Sequence, residues 1–463
     1  MSTTADANPA RPDATPSGTD IGPAGTAVKS VGSDIGSAAG DTEPIRESAA
    51  GNSKPGAANS SYRDVLMRNR RMVGLLVGDL VANAGTGMLI VAMPVQTLAV
   101  HRSVDAAVAI AVVEAAPFLL STVLALAISL GRLSAPPRRL LLADCVLRAV
   151  VLTGLGVLAV AGRLTLPMLV GGLLLGSIFR MAGSSSRRLL ATSMVGEADR
   201  FAVNGLLGVG SNFALLVFGP VVGGLLVASA GAGWALFADA CGALILLVSL
   251  LRCVPRTTAV RMEKESGRGR ESGWRILRRR PVARRLLVVV FFFNFLYMPI
   301  EVALPLYVRE SLHTGASGLG LLWTALGVGA LLGAGLVDRL RGLPQRPLLI
   351  VIIALWALCP IALAGVGNQA AAMAVFGLGG LIWAPFTPVA YSFLQAGLRT
   401  EEQQPVVTLW TTGSTVAAPL GLLAGGPLIV LTGVDAGLVV SGLLTLLLAP
   451  LAAWSVLTRV EVS

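Results

Sequence analysis

The sequence predicts an all-α polytopic membrane protein with twelve transmembrane helices in two pseudo-symmetric six-helix halves. Of its 463 residues, 54% are hydrophobic and only 13% are charged, whereas a typical soluble domain has about 25% charged residues. The charges are clustered, and the apolar stretches between them exceed the ~20 residues that a helix needs to cross a hydrocarbon core of ~30 Å. This composition excludes an ordinary soluble fold.

Twelve apolar segments follow one another from Met72 onward, and we number them in chain order. Their lengths and their content of Leu, Ala, Val and Gly favour helices, since in lipid each backbone N–H and C=O must be satisfied within its own segment. Strands of a membrane barrel would be shorter and would alternate polar with apolar residues. The predicted segments are 72–100, 106–131, 139–161, 164–183, 203–229, 232–254, 284–309, 316–337, 347–367, 370–397, 405–431 and 435–457.

The first 62 residues predict a disordered cytoplasmic tail. They are rich in small and polar residues and contain no aromatic residue before Tyr62, so they cannot bury enough surface to offset their ordering entropy. The segment also lacks the continuous apolar stretch of a signal peptide. Regulation or partner binding is the alternative to a tail without function.

Basic residues lie almost entirely on one side of the predicted membrane. Twenty-eight of them precede segment 1 or follow the even-numbered segments, whereas the opposite loops hold only Arg102, Arg163 and Arg309. The positive-inside rule then predicts that both termini are cytoplasmic. We therefore expect a multi-pass protein of the cell (cytoplasmic) membrane.

A basic segment divides the chain into two halves of similar size. Residues 255–283 form the predicted cytoplasmic linker between six-helix bundles at 63–254 and 284–457, and residues 458–463 form a cytoplasmic C-terminus. A net charge of +11 would suit nucleic acid, but basic residues beside a membrane orient the chain and contact anionic headgroups. Trp274 is the linker's one aromatic residue for base stacking, so we expect no nucleic-acid partner.

Glycine patterns repeat between the halves. Segments 5 and 11 both contain G-x-x-x-G-G followed by a further Gly, in GPVVGGLLVASAG and GLLAGGPLIVLTG, 202 residues apart. Segments 1 and 7 share VAMP and VALP. Because the matches occur in corresponding order, they favour two parallel six-helix repeats.

On these features residues 70–457 resemble the major facilitator superfamily, and within it the bacterial twelve-helix exporters of the drug and siderophore efflux type. In that family the loop after segment 2 carries a Gly, an Asp-Arg pair and a basic cluster, with a degenerate copy after segment 8. The first copy here, GRLSAPPRR, has Ala135-Pro136 in place of Asp-Arg. The positions that match this gating motif are Gly131, Arg138, Arg139, Asp338 and Arg339.

Segment 5 is similar to the corresponding helix of the family's antiporters. Those helices carry Gly-Pro followed two residues later by Gly-Gly, and the matching residues are Gly219, Pro220, Gly223 and Gly224. The resemblance implies the major facilitator fold, alternating access and a substrate cavity lined by segments 1, 4, 7 and 10. It also implies export.

Ionisable residues inside membrane helices are costly and are functional candidates. Glu301 is the first candidate for a coupling proton, because it shares one helical face with Asn294 and Tyr297 and lies ~12 Å from the outer end of its segment. Asp79 and Glu114 are further candidates. A static hydrogen-bonded pair is the alternative for Glu301, and a cytoplasmic gate is the alternative for Asp79.

Polar and aromatic residues that share one face of a helix predict the lining of the substrate cavity. For the aromatic residues the alternative is that they anchor the helix at the membrane interface. The residues expected to line the substrate cavity are Asn83, Thr86, Asn294, Tyr297, Trp383, Thr387 and Tyr391. Asp144 and Arg148 are four residues apart, a spacing that permits a salt bridge. We interpret that pair as structural, and expect Asp239 to hydrogen-bond within the bundle.

The sequence gives no support to an ATP-driven pump or an enzyme. None of the three lysines follows a Gly, so there is no G-x-x-x-x-G-K-S/T phosphate loop. His101 and His313 both lie in loops on the side opposite the basic residues, and neither has the sequence spacing of a metal ligand. We therefore expect no metal or cofactor. We predict a monomeric secondary active transporter, a proton-coupled exporter of small hydrophobic or amphipathic organic compounds. The alternatives are an importer of a small metabolite and a non-transporting membrane sensor or scaffold.

Overall fold

The computed structural model describes residues 66–129, 135–255, 272–340 and 342–457. Within these ranges the regular elements are all helical, and twelve helices are long and apolar enough to cross a membrane. The predicted tail at 1–62, Gly131, most of the linker and the C-terminus at 458–463 lie outside the described residues.

We number the membrane-spanning helices α1 to α12, and each corresponds to the predicted segment of the same number. Their bounds are Arg70–Val100, Ala106–Ile128, Pro137–Val160, Leu166–Ser193, Ala202–Ala230, Ala232–Cys253, Pro281–Glu310, Ala316–Leu340, Gln345–Ala364, Gln369–Ala396, Thr400–Thr432 and Val434–Ala453. A short helix, Gly273–Arg279, precedes α7, and we call it the linker helix. The predicted fold class is confirmed.

Helix α4 ends at Ser193, ten residues later than the sequence predicts. Its second half carries serines and arginines together with a buried apolar face, so hydropathy alone places this stretch outside the membrane. Arg187 and Arg188 therefore lie within a span rather than in a loop. We call the side with Arg139 and Arg339 the basic side.

The twelve helices pack as two groups of six. In the first group α1 packs on α5 and α6, and α3 packs on α4 and α6; in the second group α7 packs on α11, α8 on α10, and α9 on α12. The main contacts between the groups are α2 with α11 and α5 with α8. This arrangement leaves a space along the central axis between the groups.

The repeated glycines make equivalent contacts in the two groups. Gly219 packs against the backbone of α1, and a Cβ added there would lie 2.6 Å from Cα of Gly87. Gly421, the matching residue of the second copy, packs in the same way against the backbone of Phe295 on α7. Gly224 and Gly426 pack across the groups, onto α8 and α2 respectively. The glycine repeat therefore permits close backbone approach at matching positions.

Two helices are interrupted at corresponding places. Helix α4 consists of Leu166–Gly176 and Arg180–Ser193, and α10 consists of Gln369–Trp383 and Phe386–Ala396. Pro385 explains the break in α10, because proline has no N–H for the helical ladder. Both breaks lie near mid-span, beside the central space.

Candidate functional site

A cavity of about 340 Å³ lies near mid-depth between the two helix groups. It is within the range of roughly 300–1,000 Å³ of small-molecule sites. Most of its lining is apolar, from Leu, Ile, Met, Pro and aromatic side chains. The hydroxyl-bearing and charged residues that line it are Thr86, Glu114, Arg148, Ser177, Arg180, Asp239, Tyr297 and Glu301.

Two carboxylates from opposite helix groups line this cavity. Glu114 comes from α2 and Glu301 from α7, and they are close enough to interact electrostatically. The Tyr297 hydroxyl, one turn before Glu301, lies beside the Glu301 carboxylate in the same lining. Oε1 of Glu114 is buried without a hydrogen-bond partner among the described residues. Each carboxylate thus has capacity to bind a proton or a cationic group.

Arg180 brings a positive charge to the same wall. It begins the second half of α4, and its guanidinium lies 5.7 Å from the centre of the Phe118 ring on α2. It also interacts electrostatically with Glu114. Its stacking position on Phe118 keeps the cation beside the apolar wall of the cavity.

Arg148 pairs with Asp239 of α6 and not with Asp144. Its Nε donates to Oδ2 of Asp239 at 2.8 Å, and its Nη2 contacts Oδ1 of Asp239 and the hydroxyl of Thr86. Asp144 lies one turn earlier and faces Gly183 of α4, where no side chain occupies the space. The predicted Asp144–Arg148 salt bridge is therefore wrong, whereas the expected hydrogen bonding of Asp239 within the bundle is found.

Asp79 lies in a separate cluster on the basic side of the cavity. Its carboxylate is 2.6 Å from Nη1 of Arg187 on α4 and accepts a hydrogen bond of 2.6 Å from the Ser211 hydroxyl on α5. Asn83 donates to the backbone carbonyl of Asp79 at 2.8 Å and is not part of the cavity lining. This cluster joins α1, α4 and α5 within the first helix group.

An aromatic stack forms the wall of the cavity on the side of the second group. The Tyr297 ring stacks on Trp356 of α9 and Trp383 of α10, with centroid distances of 5.3 Å and 5.8 Å. Trp383 also lines the cavity. Such a wall presents flat apolar surface to a ligand.

The other predicted cavity residues lie away from the lining. Thr387 and Tyr391 follow the break in α10, so they no longer share one helical face with Trp383. Thr387 is exposed, and Tyr391 packs edge-on against Trp410 of α11, with a ring centroid distance of 6.1 Å. Asn294 donates to the carbonyl of Val290 on its own helix. Of the seven predicted residues, Thr86, Tyr297 and Trp383 line the cavity.

The described residues of the predicted gating motif lie at helix ends on the basic side. Arg138 and Arg139 are in the first turn of α3, and Asp338 and Arg339 are in the last turn of α8. None of these four lines the central cavity. The second copy is exposed, as its position at the end of α8 implies.

Sequence reasoning missed the roles of Arg180 and Arg187. The polar stretch RMAGSSSRR leads to both being counted among the basic residues that follow segment 4, and neither is a candidate site residue. Their spacing of seven residues places them on one helical face, and this periodicity is the signal that could have identified them as inward-facing residues.

Comparisons with known proteins agree with this architecture. The family model of the Major Facilitator Superfamily matches residues 75–403. A multidrug efflux pump Tap of Mycolicibacterium fortuitum is 27% identical over 82% of this chain and 94% of its own length. The pump of the same name from Mycobacterium tuberculosis is 27% identical over 78% of this chain and 88% of its own length.

Solved structures share the fold at low sequence identity. The nucleoside transporter NupG has a TM-score of 0.67 at 10% identity, over 83% of this chain and 98% of that chain. A bacterial homologue of the human lysosomal transporter Spinster, in an inward-facing and unoccupied conformation, has a TM-score of 0.65 at 14% identity, over 86% and 99%. Since the family match covers more than half of the sequence, the chain belongs to the major facilitator superfamily of transporters.

Proposed function

We propose that this protein is a proton-coupled exporter of small hydrophobic or amphipathic organic compounds that works by alternating access. The observation that carries the proposal is the pair of carboxylates, Glu114 and Glu301, in one mid-depth cavity. Because they belong to opposite helix groups, any movement of one group against the other changes their separation and their access to water. Proton binding and the state of the transporter are then linked through the same cavity.

The cavity lining supports an apolar or amphipathic substrate. Aromatic surface from Tyr297 and Trp383 faces the two carboxylates across a mostly apolar space. The multidrug efflux pumps that the sequence matches make export of drug-like compounds the favoured direction and substrate class. Coupling to protons is favoured because Glu114 and Glu301 are ionisable groups in a mostly apolar lining near the middle of the membrane.

The basic side is proposed to face the cytoplasm. The excess of arginine in the loops on that side follows the positive-inside rule, which places both termini in the cytoplasm and the protein in the cytoplasmic membrane. We propose bundle boundaries at 63–254 and 284–457, joined by the linker at 255–283. A monomer is sufficient, because one chain supplies both walls of the cavity.

The direct test is transport in proteoliposomes with an imposed pH gradient. Purified protein should drive accumulation of fluorescent hydrophobic compounds against their gradient, and Glu301→Gln should abolish this pH-driven accumulation. The matched control is Glu310→Gln, an exposed glutamate at the end of the same helix, which should transport at the wild-type rate. Unchanged activity of Glu301→Gln would remove this carboxylate from the coupling mechanism.

The same vesicles separate the alternatives. An importer would move a small metabolite toward the side that carries the linker. A sensor or scaffold would move none of the compounds in either direction, although the purified protein remained folded. Transport could persist after the pH gradient is dissipated and depend instead on a sodium gradient. That result would identify sodium, and not the proton, as the coupling ion.

A further inference from the structure

A second cavity lies on the basic side and shares no lining residue with the central one. It has a volume of about 520 Å³ and is enclosed by the linker helix, α7, α11 and α12. We call it the linker groove, and define it by Trp274, Arg284, Arg285, Phe291, Gly413 and Leu451. The proposed transport cycle gives this groove no role.

The linker helix forms one wall of the groove by packing onto α11. Leu277 is only 2% exposed, and Gly273 approaches so closely that an added Cβ would lie 2.6 Å from the carbonyl oxygen of Pro405. Arg280, directly after the end of the linker helix, forms an ion pair of 3.0 Å with Glu402 at the start of α11. Trp274, in contrast, is 59% exposed at the mouth of the groove.

The lining has the chemistry of an amphiphile site. Its inner part is made of aromatic and aliphatic side chains, including Phe291 and Leu451, and two consecutive arginines lie at the end where α7 begins. The hydroxyl of Ser414 also lines the groove, and it is buried without a hydrogen-bond partner among the described residues. Tryptophan and arginine at the end of a membrane helix mark the level of the lipid headgroups.

We propose that the linker groove binds one anionic phospholipid from the leaflet on the basic side. Its phosphate lies on Arg284 and Arg285, an acyl chain fills the apolar part, and an ester carbonyl accepts a hydrogen bond from Ser414. A free phosphate ion does not account for the apolar part of the groove. An uncharged lipid does not account for the paired arginines, which attract anionic headgroups near the surface.

Two variants test the two parts of this site separately. Gly413 lines the groove, and a Cβ added there would meet no atom within 4 Å, so Gly413→Leu fills the space without displacing neighbouring groups. Arg284→Gln removes one exposed charge from the rim. The matched control, Arg339→Gln, removes an exposed arginine from the same side at the end of α8.

The measurement is native mass spectrometry of the full chain released from nanodiscs that contain equal amounts of phosphatidylglycerol and phosphatidylcholine. Wild type and Arg339→Gln should retain one phosphatidylglycerol. Arg284→Gln should reduce the preference for phosphatidylglycerol over phosphatidylcholine about fivefold, the equivalent of one basic residue near the surface. Gly413→Leu should lose the retained lipid of either kind.

Three results would overturn the proposal. Gly413→Leu could retain as much lipid as wild type, which would place the lipid elsewhere. Arg339→Gln could weaken retention as much as Arg284→Gln, which would indicate non-specific attraction to the basic side. Excess inorganic phosphate could displace the adduct completely, which would mean that the arginines bind a phosphate ion and that the apolar groove contributes nothing.

Discussion

Replacing Asp239 with asparagine should destabilise the protein strongly. Asp239 is fully buried on α6, and the side chain of its partner Arg148 is only 12% exposed. Removing one partner of a buried ion pair costs about 3–5 kcal/mol, because the remaining charge is left uncompensated. Asparagine keeps one acceptor oxygen for the arginine, so we expect a loss near the lower end, about 3 kcal/mol.

An exposed ion pair provides the scale for this prediction. Arg68 pairs with Asp199 at 2.9 Å, but the Arg68 side chain is 61% exposed. Exposed pairs contribute about 0–1 kcal/mol, so Arg68→Met should have a small effect. Thermal unfolding of the two purified variants in detergent, followed by tryptophan fluorescence, should show a midpoint shift at least threefold larger for Asp239→Asn.

A double variant separates the buried charge from the packing around it. Arg148→Met combined with Asp239→Leu removes both charges and keeps apolar volume, and such replacements are often neutral or stabilising. The double variant should therefore unfold at a higher temperature than Asp239→Asn alone. The reasoning would be refuted by a double variant as unstable as the single one, or by equal shifts for Asp239→Asn and Arg68→Met.

Two further changes test the aromatic wall and the helix packing. Tyr297→Ala removes a ring from the aromatic wall of the cavity. Since a ring pair between this side chain and an aromatic substrate would contribute about 0.5–1.5 kcal/mol, the KM for such a substrate should rise about twofold to tenfold, and Tyr297→Phe should keep the wild-type KM. Gly380→Val would overlap the backbone carbonyl of Leu326 on α8 and should abolish monodisperse elution on size exclusion. Gly154→Val, where an added Cβ has open space, should elute as wild type.

The fold was largely predictable because membrane helices leave a simple signal. Length and hydropathy located all twelve spans, and the glycine repeat of α5 and α11 anticipated equivalent packing in both groups. The end of α4 was not predictable in this way, because Arg187 lies inward on an amphipathic stretch that averages as polar. Hydropathy measures composition, and it does not report which face of a helix is buried.

Individual residues of the site could be predicted from the sequence, but the contacts between them could not. Glu114, Glu301 and Tyr297 stand out because an ionisable or hydroxyl group in an apolar helix is conspicuous. The partner of Arg148 could not be found from spacing along α3, because the choice depends on which neighbouring helix lies closer. Asp239 is 91 residues away in sequence, and a tertiary contact of this kind leaves no local pattern.

The interruptions of α4 and α10 are equivalent in position but differ in chemistry. Pro385 lacks an N–H permanently, so α10 can never complete its hydrogen-bond ladder at that point. The interruption of α4, at Ser177–Phe179, contains no proline, and every residue there retains its donor. Every residue in the interruption of α4 can therefore donate a backbone hydrogen bond, whereas in α10 the donor at Pro385 is missing in any conformation. The two repeats thus place different backbone chemistry at the same depth beside the cavity.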